Sequence, residues 1–267
     1  MAVSQPSKPP VIDSSVPSSP RIWNFWMGGK DNYPVDKAVG EQGLAIDPDI
    51  GTMAKASRGF LIRAVAHLAR EAGVRQFLDV GTGLPASENT HEVAQKIAPE
   101  SRVVYVDNDP SVLRHAAALL QPVSAEGTVA YIDCDFHDPE RIVEEARQTL
   151  DFGEPVAVMF MGVLGHARSY ADMQRIVRTV TGAVPSGSHL VLWDGTVDSK
   201  SYVALCEEYA KGSPDPYYPR TQAEISACFE GLEFVEPGFG KIADWHPEPA
   251  AEERPEVAAY GGVARKP

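Results

Sequence analysis

From residue 75 to residue 194 the chain alternates short apolar runs with helix-forming segments, and this alternation constrains its fold more than any other feature. The runs are RQFLDV, RVVYVD, VAYIDCD, PVAVMFM and HLVLWD. The segments between them carry helix signatures. Asn89 with Glu92 reads as a capping box, Pro110 opens a second helix, and Asp138 before Pro139 marks a third start. Met173, Ile176, Val177 and Val180 share one helical face. Parallel neighbours need crossovers of a dozen or more residues, and those crossovers are right-handed. The fold class is therefore α/β, a doubly wound, mostly parallel, Rossmann-like sheet. A helix over about 199–211 and a capping-box helix opened by Thr221 and Glu224, ended by Gly231, come next. LEFVE and VAAYGGVAR close the chain with no clear helix between them, which predicts an antiparallel edge and seven strands in all.

Residues 1–20 are rich in Pro and Ser and predict a disordered tail. Residues 21–73 read as a helical, aromatic cap: Trp23, Phe25, Trp26 and Tyr33 cluster around Gly28-Gly29. A helix over about 52–72 follows, with Leu61, Val65, Leu68 and Ala72 on one face and Gly73 at its end. Residues 74–267 form the ligand-binding domain.

The net charge of -13 argues against nucleic acid and anionic membranes, since no Lys/Arg-rich run offsets it. Cys134, Cys206 and Cys228 form no C-x-x-C pair and read as buried thiols of a cytoplasmic protein. Neither a signal peptide nor a stretch of ~20 apolar residues is evident. Monomer and homodimer are both compatible with the sequence.

The site signal is FLDVGTGLPA, residues 77–86. Gly81, Gly83 and Ala86 fit the G-x-G-x-x-G/A turn that brings backbone close to a nucleotide, and Asp79, Gly81 and Gly83 are assigned to cofactor binding. The second run ends in Asp107, where an acid accepts from ribose hydroxyls. NAD and S-adenosylmethionine fit these features equally. Three others favour S-adenosylmethionine: Asp133 and Asp135 with Phe136 close the third run, a long aromatic leader precedes the first, and the last two runs lack an intervening helix. The alternatives are an NAD-dependent oxidoreductase and a cofactor-binding protein without turnover.

RIWNFWMGGKDN, FLDVGTGLPASENTHEVAQ, VVYVDNDPSVL, GVLGH, PSGSHLVLWDGT and YGGVARKP together resemble a bacterial family of S-adenosylmethionine-dependent methyltransferases, long described only as a domain of unknown function. The likeness runs from about residue 12 to the end. It implies a class I methyltransferase fold and cofactor contacts at Gly81, Asp107, Asn108, Asp135 and Phe136; the expected acceptor is a small molecule, such as an aromatic or heterocyclic specialised metabolite. Pro85 stands where the wider pattern has its third glycine.

Methyl transfer needs alignment and exclusion of water more than a loud catalytic motif. The fourth run ends in MGVLGH, where Gly162 would allow close approach to the cofactor and His166 is the candidate base. Asp194, ending the fifth run, is the second candidate. Trp23, Trp26, Tyr33 and Asn32 are expected to form a lid over the acceptor. No metal is expected, because no histidines pair at ligand spacing.

Overall fold

Prolines help start the first two helices, since a first-turn N–H has no intrahelical partner to lose. Pro20 sits in the first turn of α1 (Ser19–Trp26), and Pro34 opens α2 (Pro34–Ile46). α3 (Ile50–Arg70) turns one apolar stripe inward, with Phe60, Leu61, Ala64, Val65 and Leu68 buried. Each of its larger apolar side chains stabilises the fold by about 1.5–3 kcal/mol relative to exposure. Ala72, expected on that stripe, lies past the helix end and is exposed. The computed structural model describes residues 11–119, 121–247 and 255–267.

The alternating region follows the predicted order. β1 (Gln76–Val80), α4 (Thr90–Ile97), β2 (Arg102–Asp107), α5 (Pro110–Leu119) and β3 (Thr128–Asp133) come first. Then come α6 (Pro139–Ala146), β4 (Ala157–Met161), α7 (Tyr170–Ala183), β5 (His189–Gly195), α8 (Lys200–Gly212) and α9 (Gln222–Ser226). Two short strands, β6 (Glu233–Phe234) and β7 (Gly240–Lys241), precede β8 (Ala259–Arg265). Predicted helix starts have the expected chemistry. The Asp138 side chain accepts from Arg141 N–H before α6, and Glu92 accepts from Asn89 N–H at 2.8 Å before α4.

The sheet runs β3-β2-β1-β4-β5-β8-β6, seven strands as expected, with the two-residue β7 as an eighth beside β8. β1 to β5 pair in parallel, while β8 pairs antiparallel with β5, β6 and β7. Winding reverses between β1 and β4, which have helical crossovers leading away from both sides. Side chains on these central strands alternate faces. Phe77, Met159, Val191 and Trp193 join the core under α3, whereas Leu78, Phe160 and Leu192 join the core under α7.

The predicted disordered tail extends too far into the ordered chain. Residues 1–10 lie outside the described residues, but the backbone from 13 to 18 is tied down. Arg21 donates to the Asp13 and Val16 carbonyls, and Ser18 N–H donates to Asp36 Oδ1 at 3.0 Å. A polar side chain 18 residues downstream supplies that anchor, which local composition does not reveal. No helix among the described residues is long and apolar enough to cross a membrane.

Candidate active site

The carboxyl ends of β1, β2, β3 and β4 open onto a cavity of about 690 Å3. Open α/β sheets bind ligands at this point of reversal, and ligand cavities commonly span roughly 300–1,000 Å3.

One wall is glycine and acid. Gly81 has φ +72°, and a Cβ there would lie 2.4 Å from the Val163 side chain, so the turn tolerates only glycine. Gly83 N–H donates to Asp107 Oδ2 at 2.9 Å, and Asp109 N–H donates to Oδ1 at 2.9 Å. These bonds fix the Asp107 carboxyl between two loops at the cavity wall. Burial pushes it up to about 6, outweighing the amide donors. Asn108, Asp135 and Phe136 continue the same wall. Asp135 Oδ1 accepts from His137 N–H at 2.9 Å and lies 2.7 Å from His137 Nδ1. Asp133 ends β3 but does not line the cavity.

One expectation on this side needs correction. Asp79 is buried away from the cavity, because strand alternation sends it toward α4 with Phe77. Its Oδ2 accepts from Thr90 Oγ1 at 2.7 Å, and burial pushes it up to about 6 against the Thr90 and Thr82 side chains and the charge of Arg58. Gly162 does line the cavity with φ +78°, yet it has a packing reason to be glycine: a Cβ would lie 2.5 Å from the Trp193 ring.

Arg58, absent from the sequence reading, also lines the cavity. It reaches from α3 to the cofactor-type loop, donating to Ser87 O at 2.6 Å and to Asn89 Oδ1 at 3.1 Å. Desolvation holds its guanidinium below the usual range, with Asp79 as the main opposing charge. A half-buried arginine on a helix before the first strand leaves no local motif.

The facing wall is apolar and comes from distant parts of the chain: Trp23 and Met27, Leu61, Met161, Trp193 and Tyr209. Trp23 meets Trp193 edge to face at 6.2 Å. Of the predicted lid, only Trp23 lines this cavity. Trp26 packs behind it on α2, donating Nε1–H to Gly40 O at 3.0 Å. Tyr33 lies over the Arg21 guanidinium at 5.2 Å, and Asn32 closes the Gly28-Gly29 turn by donating to Asn24 Oδ1 at 3.0 Å and Gly29 O at 3.1 Å. Tyr33 and Asn32 are thus structural pieces of the cap.

His166 stands on the cavity wall in the turn after β4, and is 9% exposed. Its Nδ1 lies 3.2 Å from Pro216 O and 3.5 Å from Asp215 Oδ2, and its Nε2 lies 3.4 Å from Ser19 Oγ. Desolvation holds the ring below its ordinary range against the pull of Asp215. Asp194, the second candidate base, does not reach the cavity. It is fully buried, its Oδ1 accepting from the Tyr217 hydroxyl and from Gly195 N–H. Among the described residues, no group of three or more His, Cys, Asp or Glu side chains could hold a metal ion.

With this geometry in view, the profile of a family described as S-adenosyl methyltransferase matches residues 5–267. The chain is 44% identical to a DUF574 family protein from Streptomyces avermitilis MA-4680, covering 96% of this chain and 99% of that one with a TM-score of 0.91. It is 36% identical to a candidate methyltransferase from Thermobifida fusca YX, covering 95% of this chain and 96% of that one with a TM-score of 0.86. No match is found among curated proteins.

Proposed function

The chain belongs to the S-adenosyl methyltransferase family, with S-adenosylmethionine as its cofactor, and from that premise we propose that it methylates a small, flat acceptor bearing an O–H or N–H nucleophile, in the manner of a tailoring enzyme of specialised metabolism. The observation that carries this reading is the division of a single cavity into an acidic, glycine-lined wall and an apolar, aromatic wall, with His166 at the second.

The residues fit the cofactor. Asp107 suits two ribose hydroxyls, because its carboxyl is held by backbone amides and still faces the cavity. Asp135 and Phe136 suit an adenine, the first by accepting from its amino group and the second by flanking the base. Arg58 supplies a cation for the methionine carboxylate, a partner that the Gly-rich loop does not itself provide. When bound, the cofactor supplies a methyl group already activated by its sulfonium.

The chain's own part is alignment, dryness and proton removal. Trp23, Trp193, Met161 and Leu61 exclude water and favour a flat apolar body. The ring faces also attract the sulfonium charge. His166, on the cavity wall with its Nε2 3.4 Å from Ser19 Oγ, takes the proton that the nucleophile loses.

Calorimetric titration tests the reading first. S-adenosylmethionine is expected to bind, and Asp107→Ala is expected to weaken it by about 1–3 kcal/mol, the range for lost charge-assisted hydrogen bonds. Binding of NAD with none of S-adenosylmethionine would overturn the assignment. A screen with methyl-labelled cofactor then identifies the acceptor. On that acceptor, His166→Ala should slow turnover by about a hundredfold while leaving cofactor affinity unchanged. Undiminished turnover would remove His166 from the mechanism.

A further inference from the structure

His166 is held from one side by a segment that has no other visible reason to be so firmly placed. Residues 215–220 leave α8 and run along the turn that carries the histidine. Tyr218 N–H donates to Gly165 O at 2.7 Å, and Arg220 N–H donates to Gly195 O at 3.2 Å. Between these two ties sits Tyr217. Its ring lies directly over Gly165, where a Cβ would come within 2.2 Å of the ring, and it meets the His166 ring edge to face at 5.0 Å. Its hydroxyl reaches the end of β5, donating to Asp194 Oδ1 and lying 3.1 Å from Gly195 N–H.

Asp194 is an expensive anchor. It is 0% exposed, the cavity does not reach it, and burial outweighs the backbone N–H groups of Gly195, Gly165 and Leu164 that favour its carboxylate. A carboxyl buried this completely costs stability, because its charged form is taken out of water. What its Tyr217 bond places is the preceding pair of residues. Pro216 O and Asp215 Oδ2 are both acceptors, and both lie at His166 Nδ1. An accepting carbonyl and a neighbouring carboxylate at one ring nitrogen favour the tautomer that carries its proton there, which leaves the other nitrogen as an acceptor. That other nitrogen, Nε2, lies 3.4 Å from Ser19 Oγ, and both residues line the cavity.

We propose that Asp194 and Tyr217 are positioning residues: their buried hydrogen bond holds the 215–218 segment so that Pro216 O and Asp215 fix the His166 proton on Nδ1 and present a bare Nε2 to the methyl acceptor. The proposal rests on the assignment of His166 as the base and extends it to residues that never touch the ligands. In the reaction the nucleophile's proton passes to Nε2 as its bond to the methyl carbon forms and the carbon–sulfur bond breaks, the electron pair leaving with sulfur. The resulting imidazolium keeps both Nδ1 acceptors, and the Asp215 carboxylate opposes its charge. Serine and cysteine hydrolases orient their histidines by the same physics, with a carboxylate bonded directly to the ring. Here the buried carboxyl acts one step further back, through a tyrosine and a peptide carbonyl.

Nitrogen-15 NMR of the histidine side chains tests this without an acceptor in hand. In the wild-type protein with S-adenosylmethionine, His166 should show the Nδ1–H tautomer as its single neutral form. Tyr217→Phe keeps the ring over Gly165 and deletes only the hydroxyl, and it should give mixed tautomers. Asp194→Ala should do the same, whereas Asp194→Asn, which retains an acceptor for Tyr217, should restore the wild-type signature. The Asn and Ala pair decides the matter if Tyr217→Phe does not fold. Cofactor affinity, measured on the same samples, should stay within about twofold of wild type, since Asp194 and Tyr217 do not line the main cavity. An unmixed Nδ1–H tautomer in folded Tyr217→Phe or Asp194→Ala would overturn the proposal. Failure of the wild-type protein to bind the cofactor would instead count against the functional reading, leaving the tautomer result to stand by itself.

Discussion

Asp36→Ala will release the N-terminal cap at a cost of about 3–5 kcal/mol, the range for breaking a buried ion pair from one side. Asp36 is fully buried, and three donors converge on it: Arg21 Nε–H at 2.8 Å, Tyr33 N–H at 2.8 Å and Ser18 N–H at 3.0 Å. Removing the carboxylate leaves the Arg21 guanidinium with 5% side-chain exposure and no counter-charge, and orphans two backbone amides. A domain of ordinary stability has only about 5–15 kcal/mol to lose. The damage should be concentrated in α1, because Arg21, Ser18 and the chain entering the helix all depend on this one side chain. Urea denaturation should show the lost stability, and limited proteolysis should show early cutting between residues 11 and 33. A variant as stable and as protease-resistant as wild type would show that the pair is dispensable. Arg21→Leu combined with Asp36→Leu should recover part of the loss, since an apolar pair removes the buried charge altogether.

The consequence reaches the site. α1 supplies Ser19 beside His166 and Trp23 against Trp193, so the cavity's apolar wall is only as firm as the cap's attachment. Leader and sheet therefore make one functional unit, although the sequence reads naturally as a lid set upon a separate domain.

The frame of the site was legible because it is made by local rules. Strand alternation, the Gly81 turn and the acids at the ends of β2 and beyond β3 each show in a window of a few residues, and the order of such windows dictates the parallel sheet and its point of reversal. The misassignments share one cause. Asp79 lies within the motif, yet strand alternation turns its side chain to the helix face. Trp26 and Tyr33 are as aromatic as Trp23, but only the helix packing on α2 and the position of Arg21 decide which ring faces the cavity. Arg58, Tyr209 and the 215–218 segment carry no motif at all, and tertiary packing alone brings them to the cavity. The Gly-rich turn leaves the cofactor open; the acids and Phe136 at the third strand, the aromatic leader and the strand ending favour S-adenosylmethionine, and the family agrees.

Asp194 makes stability depend on pH in an unusual direction. Burial pushes its carboxyl up to about 7, outweighing the N–H groups of Gly195, Gly165 and Leu164 and the charge of Arg220, whereas in the unfolded chain an aspartate titrates near about 3.9. The folded state thus binds the proton more tightly than the unfolded state. Stability contributed by this group is greatest below about pH 4 and falls as pH rises, reaching its full penalty above about pH 7. A difference of about 3 pH units corresponds to about 4 kcal/mol. Asp79, pushed up to about 6, acts with the same sign. His189 acts oppositely: burial pushes it down to about 4, so its contribution is lost as pH falls from about 6.5. Because these opposing groups flatten the wild-type profile, the informative quantity is the difference between wild type and Asp194→Asn, in which the carboxyl is replaced by a group that never ionises. Urea denaturation between pH 4 and pH 8 should show that difference shifting by about 4 kcal/mol in favour of the variant as pH rises. Parallel profiles for the two proteins would mean that Asp194 stays ionised throughout. The direction matters for the site as well: as the carboxylate forms, its hold on the Tyr217 hydroxyl strengthens even while the fold as a whole is weakened, so the segment that fixes His166 is expected to be tightest at the pH where a neutral imidazole can serve as a base.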